Sequence, residues 1–238
     1  MRSSGCCFET ATSFTARDGW AAAAMRARMS ARRVAMSEIR SLMASVHLLA
    51  ARAARLNREA GGPPIPALYF FTDPARTPDP CAVARRLPRG TAIVYRHFGA
   101  PDRAHVARQL AAIARARGLI LLIGADPSLA ERVGAAGVHW PENRLEVRAR
   151  GGLMTASAHS AGACARAVAA GVDACILGPL FATRSASSNP PLGLFRASQI
   201  ARGAGVPVIA LGGLNAGRAR LLTGRGFAGI AAVDAFSA

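Results

Sequence analysis

The sequence predicts an α/β protein built as a short (β/α)8 TIM barrel with an extra N-terminal helix. Eight short apolar runs alternate along the chain with alanine- and arginine-rich segments, many of which end at a glycine. Strands that are apolar throughout are typical of a parallel sheet that is covered on both faces. Eight such units favour a closed barrel, and a doubly wound open sheet is the alternative arrangement of the same elements.

The predicted strands follow one another at regular intervals from residue 67 onward. They cover residues 67–72, 91–95, 119–123, 137–140, 153–158, 173–178, 207–211 and 229–233. This span is short for a (β/α)8 barrel, so we expect short helices and one missing helix.

Residues 1–36 are rich in Ser, Thr, Ala and Arg, which is the composition of a transit peptide. Three methionines in or near this segment could each begin a translated chain: Met25, Met29 and Met36. We therefore interpret residues 1–36 as a disordered tail or as a wrongly assigned upstream extension.

A second segment, residues 37–62, has apolar residues at helical spacing and then a Gly-Gly-Pro-Pro stop. We predict an amphipathic helix and a linker here, followed by the barrel over residues 63–238. The chain ends soon after the eighth predicted strand. The N-terminal helix is therefore expected to cover the barrel where a last helix would otherwise lie.

Composition excludes several classes of function. The formal charge of +17 comes from 30 basic residues, none of which is lysine, so a Schiff-base or P-loop lysine is excluded. The arginines are spread along the chain and only 5% of residues are aromatic, which argues against nucleic-acid binding. No run of eighteen apolar residues is free of charge, so we expect no membrane span. Five cysteines without a C-x-x-C pair predict neither a disulfide framework nor a zinc site and favour the cytoplasm.

The carboxyl ends of the strands are where a barrel of this kind places its active site. Two glycines, Gly212 and Gly213, follow the seventh strand, and Val233 ends the eighth, where backbone N–H groups hold phosphate in many barrels. Asp234 comes next and would repel a phosphate unless its carboxylate points away. The other predicted site residues at strand ends are Arg96, Ser157, His159, Thr183 and Ser185.

These strand ends resemble those of thiamine phosphate synthase and its relative TenI from about residue 68 to the end. The matching motifs include GVHW, TASAH, GPLFATRS and ALGGLNA, in the same order and at similar spacing. The resemblance implies a site that joins a hydroxymethylpyrimidine diphosphate to a thiazole phosphate, with Mg²⁺ on the leaving diphosphate. It also implies that Arg96 lies at the position of an arginine that binds diphosphate.

Four positions depart from the synthase pattern. Phe98 and Ala186 stand where the family has lysines, and Arg144 replaces one metal-binding aspartate. The other aspartate is displaced, which leaves Asp126, one residue further on, as the remaining candidate for a metal ligand. We therefore predict no metal or cofactor, with Mg²⁺ required only if the protein is a synthase.

The residues that remain favour the thiazole side of the site. In TenI-type proteins the histidine of the Ser-x-His motif is implicated in proton transfer on a thiazole carboxylate phosphate, and His159 occupies that position. Our first hypothesis is a thiazole tautomerase that binds a small phosphorylated thiazole, with His159 as acid and base. The alternatives are a thiamine phosphate synthase with displaced metal ligands and a non-catalytic barrel that binds a phosphometabolite or a partner protein. A homo-oligomer is compatible with each hypothesis.

Overall fold

The computed structural model describes residues 16–148, 151–183 and 189–236, with side chains described from residue 25 onward. Eight parallel strands form a closed barrel in sequence order, because β1 pairs with both β2 and β8. This confirms the predicted barrel and excludes the open sheet. The strands are β1 (Leu68–Phe71), β2 (Ala92–Tyr95), β3 (Ile120–Gly124), β4 (Gly137–Trp140), β5 (Leu153–Ala158), β6 (Ala174–Leu177), β7 (Val208–Leu211) and β8 (Phe227–Ala232).

Short helices connect the strands, as expected for a chain of this length. The described α-helices are α1 (Ala16–Glu59), α2 (Pro80–Ala84), α3 (Arg103–Arg117), α4 (Pro127–Val133), α5 (Ala161–Ala169), α6 (Leu194–Gly203) and α7 (Ala216–Ala219). After β4 the described chain has only a 3-10 turn, Glu142–Arg144, where the regular barrel would place a helix. A similar turn, Asp234–Phe236, follows β8.

Successive side chains of each strand enter different apolar layers. Tyr69 and Phe71 of β1 belong to the cluster that fills the barrel interior, whereas Leu68 and Phe70 belong to the layer between strands and helices. This alternation follows from the period of two along a strand. It directs every second strand residue inward and brings the residues that follow the strands to one rim.

Helix α1 begins further upstream than the prediction of a helix from residue 37. It starts at Ala16, so part of the segment that we interpreted as disordered or wrongly assigned is helical in the structure. The physical reason is propensity: alanine and arginine are strong helix formers, and no proline and no glycine occurs between Gly19 and Gly61. Contacts divide the chain into residues 1–41 and residues 42–238.

The second part of α1 belongs to the barrel's hydrophobic core. Val46, Leu49, Ala53 and Leu56 are buried and lie in the same cluster as the outward-facing strand residues. Near the end of the helix, Glu59 accepts a hydrogen bond from the Gly224 N–H at 3.0 Å. The helix therefore covers part of the barrel's outer surface.

Length and composition alone would allow one described helical span, Met25–Glu59, to cross a membrane. The same test is passed by core helices of other proteins, and four side chains of this span are buried in the barrel core. The span is weak evidence for a membrane segment.

Candidate active site at the barrel mouth

A cavity of about 620 Å³ opens at the carboxyl ends of the strands. Most of the predicted site residues lie in the wall of this cavity: Arg96, Ser157, His159, Thr183, Gly212, Gly213 and Val233. Two predicted residues are not among them. Ser185 lies outside the described residues, and Asp126 does not line the cavity.

His159 follows β5 and is held by Glu142, the first residue of the turn after β4. The Glu142 carboxylate accepts hydrogen bonds from the His159 backbone N–H at 3.0 Å and from Nδ1 at 2.8 Å, both through Oε2. Its other oxygen accepts from Arg166 of α5 at 2.7 Å. Ser160 caps α5 by accepting from the Ala163 N–H, so His159 is not the capping residue.

A second histidine, His139, lies on β4 and is fully enclosed. Its ring nitrogens contact Thr155 Oγ1 at 2.9 Å and Ser157 Oγ at 3.0 Å, and its ring packs edge-on against Phe71 at 5.0 Å. Burial, with a smaller contribution from the charge of Arg96, lowers the pKa of His139 to about 3. His139 is therefore neutral near pH 7 and positions the Ser157 hydroxyl at the cavity wall.

The pKa of His139 implies a dependence of stability on pH. Between about pH 3 and pH 6.5 the unfolded chain binds a proton at this site and the folded chain does not, so acid favours unfolding. Acidification from pH 7 to pH 5 should lower the free energy of unfolding by about 2 kcal/mol through His139 alone. Burial also lowers the pKa of His97, which adds to the same trend.

Urea unfolding at pH 7 and pH 5 checks this prediction. The His139→Gln variant keeps a donor and an acceptor at the site but removes the titrating group. Its free energy of unfolding should therefore fall less between the two pH values than that of the wild type. An equal fall in both proteins would show that His139 is not the source.

The turn after β7 presents backbone N–H groups to the cavity. Gly212 and Gly213 have φ values of +105° and +63°, which residues other than glycine rarely adopt. Among the described residues, the N–H groups of Gly212, Gly213 and Val233 have no backbone acceptor. Backbone N–H groups at a rim that have no backbone acceptor can bind the oxygens of a phosphate.

Arg96 lies between the loop after β1 and the cavity. Its backbone N–H donates to Thr72 Oγ1 and its Nε to the Thr72 carbonyl oxygen, each at 3.0 Å, while its guanidinium lies over Phe71. Desolvation lowers the pKa of Arg96, although the group stays cationic at neutral pH. None of the described carboxylates forms an ion pair with it, so its charge is available to an anionic ligand.

Asp234, the carboxylate expected to disfavour phosphate, is paired with Arg76. The Arg76 guanidinium donates to Asp234 at 3.2 Å and to Asp73 at 2.8 Å. This ion pair also lowers the pKa of the Asp73 carboxyl. The negative charge beside Val233 is therefore compensated within the protein.

The side chains around Asp126, the remaining candidate for a metal ligand, do not fit Mg²⁺. Asp126 caps α4 by accepting from the Leu129 N–H at 2.8 Å, and its second oxygen pairs with Arg103 at 2.8 Å. Arg103 and Arg144 both lie over the Phe98 ring. Over the described ranges, no group of three or more His, Cys, Asp or Glu residues could hold a metal ion. Mg²⁺ requires several oxygen ligands, which these side chains do not offer.

Three charged residues of the cavity wall were not predicted as site residues from the sequence: Arg76, Glu142 and Arg166. Arg76 and Glu142 lie in connections that have no periodic pattern, and Arg166 lies on an alanine-rich helix. Their charge was the available signal.

Together these features define a class of protein, a (β/α)8 barrel with a glycine turn and a histidine–carboxylate pair in one cavity. The comparisons identify the family. The family described as thiamine monophosphate synthase matches residues 68–236, and the chain belongs to the thiamine phosphate synthase/TenI family. The chain is therefore a member of a thiamine-biosynthesis family whose substrates are phosphorylated small molecules.

Individual relatives agree with this assignment. The chain is 30% identical to the thiamine-phosphate synthase of Alcanivorax borkumensis over 181 residues, which are 71% of this chain and 83% of that protein. It is 31% identical to the enzyme of the same name from Marinobacter nauticus, over 66% of this chain and 76% of that protein. Among solved structures, thiamine phosphate pyrophosphorylase from Pyrococcus furiosus matches with a TM-score of 0.61 and 27% identity, covering 70% of this chain and 84% of that one.

Proposed function

We propose that this protein binds a thiazole phosphate at the barrel mouth and catalyses a TenI-like proton transfer on it, with His159 as acid and base. One observation carries the proposal: a glycine turn and a histidine held by a carboxylate line the same cavity. The phosphate would accept hydrogen bonds from the N–H groups of Gly212, Gly213 and Val233. A second anionic group on the thiazole would face Arg96.

The chemistry is an isomerisation, so the substrate and the product have the same atoms. A proton leaves one position of the thiazole carboxylate phosphate and a proton is returned at another, which makes the ring aromatic. One imidazole can accept the first proton and donate the second. The Nδ1 of His159 contacts Glu142, so we assign the exchange with the substrate to Nε2.

Thiamine phosphate synthase activity is the second candidate, because the relatives carry that name. Ionisation of a diphosphate ester develops negative charge that Mg²⁺ ordinarily stabilises. The Asp126–Arg103 ion pair occupies a carboxylate that this chemistry would need. We therefore rank the synthase below the tautomerase. A non-catalytic barrel that binds a phosphometabolite or a partner is the third candidate.

Three measurements separate these candidates, two on the purified protein and one in cells. The first follows conversion of the carboxylated thiazole phosphate to its aromatic tautomer, and we expect turnover without added metal. The second supplies the pyrimidine diphosphate, the thiazole phosphate and Mg²⁺, and formation of thiamine phosphate would favour the synthase. The third is growth of a thiamine auxotroph that lacks its own synthase, where rescue would also favour the synthase. Ligand binding without turnover in either assay would leave the non-catalytic barrel.

The phosphate turn can be tested with a matched pair of glycines. Gly213 and Gly224 have similar positive φ values of +63° and +66°, but a Cβ at Gly213 would lie 2.6 Å from the Ala182 carbonyl oxygen. A Cβ at Gly224 would meet nothing within 4 Å. Both substitutions by alanine should cost about 1 kcal/mol in backbone strain, and only Gly213→Ala should also displace the turn.

We expect Gly213→Ala to weaken binding of inorganic phosphate at least about tenfold, because displaced N–H groups lose their hydrogen bonds to the anion. Gly224→Ala should bind phosphate like the wild type. Titration calorimetry measures both. Equal affinities in the two variants would place the phosphate elsewhere.

We further propose a cytoplasmic location and a small-molecule ligand, with no nucleic acid and no membrane as partner. A homo-oligomer remains compatible with the fold. Fractionation of cells and light scattering of the purified protein would test these two points.

A further inference from the structure

One residue beside His159, Glu142 in the turn after β4, takes no direct part in the proposed proton transfer. Glu142 is the first residue of the 3-10 turn that replaces a helix at this position of the barrel. Its carboxylate contacts His159, which follows β5, and Arg166, which lies on α5.

We infer that Glu142 is the positioning residue of His159: it selects the ring tautomer with the proton on Nδ1 and directs Nε2 into the cavity. The inference rests on the proposed function, because a fixed tautomer matters only if His159 transfers protons. The geometry is specific. One carboxylate oxygen accepts from both the backbone N–H and the Nδ1–H of the same residue, at 3.0 and 2.8 Å.

The tautomer follows from the inventory of donors and acceptors. An ionised carboxylate has no proton to donate, so the nitrogen in contact with it must be the donor. Histidine free in water has no such constraint, and either ring nitrogen can carry the proton. A carboxylate partner on one nitrogen is a common way to fix the orientation and proton position of a histidine.

Arg166 holds Glu142 in this role. It donates to Oε1 at 2.7 Å, which leaves Oε2 for the histidine. Both carboxylate oxygens act as acceptors, one toward Arg166 and one toward the His159 backbone N–H. Glu142 therefore stays an acceptor while His159 exchanges its proton with the substrate.

The test compares Glu142→Ala with a matched control, Glu146→Ala. Glu146 is an exposed acid four residues further along the same connection, and it lines a different cavity. The first readout is the ¹⁵N NMR spectrum of the His159 ring at a pH where the ring is neutral, assigned with His159→Ala. We expect the Nδ1–H tautomer in the wild type and in Glu146→Ala, and a mixture dominated by Nε2–H in Glu142→Ala.

The second readout is kinetic. Glu142→Ala should lower kcat for the tautomerisation at least about tenfold with KM changed less than about twofold, because a misdirected histidine affects proton transfer more than binding. In the His159→Ala background the same substitution should have no further effect on kcat. A full additional loss in that background would overturn the inference and indicate a general structural role.

The two readouts separate failure of the inference from failure of the proposed function. If the wild type does not turn over the thiazole, the proposed function is wrong, and the NMR spectrum still decides the tautomer. An Nε2–H tautomer in the wild type would overturn the inference whatever the activity.

Discussion

Replacement of His159 by alanine is expected to lower kcat for the tautomerisation at least about a hundredfold, because acid–base groups contribute about 10²- to 10⁴-fold to proton transfers. His159 is the one histidine among the described residues that lines the cavity. His139 is enclosed and neutral, and its ring nitrogens are engaged by the Thr155 and Ser157 hydroxyls. No other imidazole is therefore placed to replace it.

The matched control is His105→Ala. His105 lies on α3, where its Nε2 contacts Gln109, and it does not line the cavity. Steady-state rates of the two variants should differ by the full effect of His159, while their phosphate affinities stay alike. Equal rates in His159→Ala and the wild type would remove this histidine from the mechanism.

Removal of residues 1–59 should unfold the protein, whereas removal of residues 1–41 should change its stability little. Every described side chain from residue 25 to residue 41 is exposed, so the shorter truncation uncovers no buried apolar surface. The longer truncation removes the buried Val46, Leu49 and Leu56 and exposes the outer strand residues that they cover.

The free energy of the lost apolar burial can be compared with the total free energy of unfolding. Burial of a large apolar side chain contributes about 1.5–3 kcal/mol, so three of them contribute about 5–9 kcal/mol. A domain of this size is stable by about 5–15 kcal/mol in total. Urea unfolding and the soluble yield of each truncated protein test the prediction. A soluble and equally stable protein from residue 60 onward would show that α1 is not part of the core.

The strands were predictable because their signal is local. Fully apolar runs such as residues 119–123 and 207–211 have one stable environment in a soluble α/β protein, a sheet covered on both faces. Barrel closure followed from their number. The start of α1 was not predictable in the same way, because hydrophobic periodicity reports buried faces and the described side chains of residues 25–41 are all exposed.

The same difference between local and long-range signals decides which site residues could be predicted. Arg96, Ser157, His159 and Gly212 were found because they lie at or directly after strand ends, and parallel strands bring their carboxyl ends to one rim. The partners of these residues were not found. Glu142 contacts His159 across 17 positions of sequence, and Arg76 contacts Asp234 across 158. Contacts of that kind depend on the path of irregular loops, which residue patterns do not encode.

The Arg76–Asp234 ion pair joins the connection after β1 to the turn after β8, which follow the first and last strands of the barrel. The same guanidinium neutralises the carboxylate beside Val233. If a phosphate binds there as we propose, closure of the barrel and binding of that phosphate are linked equilibria. A bound anion should protect the backbone amides of β8 from hydrogen exchange. A chain in which β8 is not paired in the barrel should bind that anion poorly.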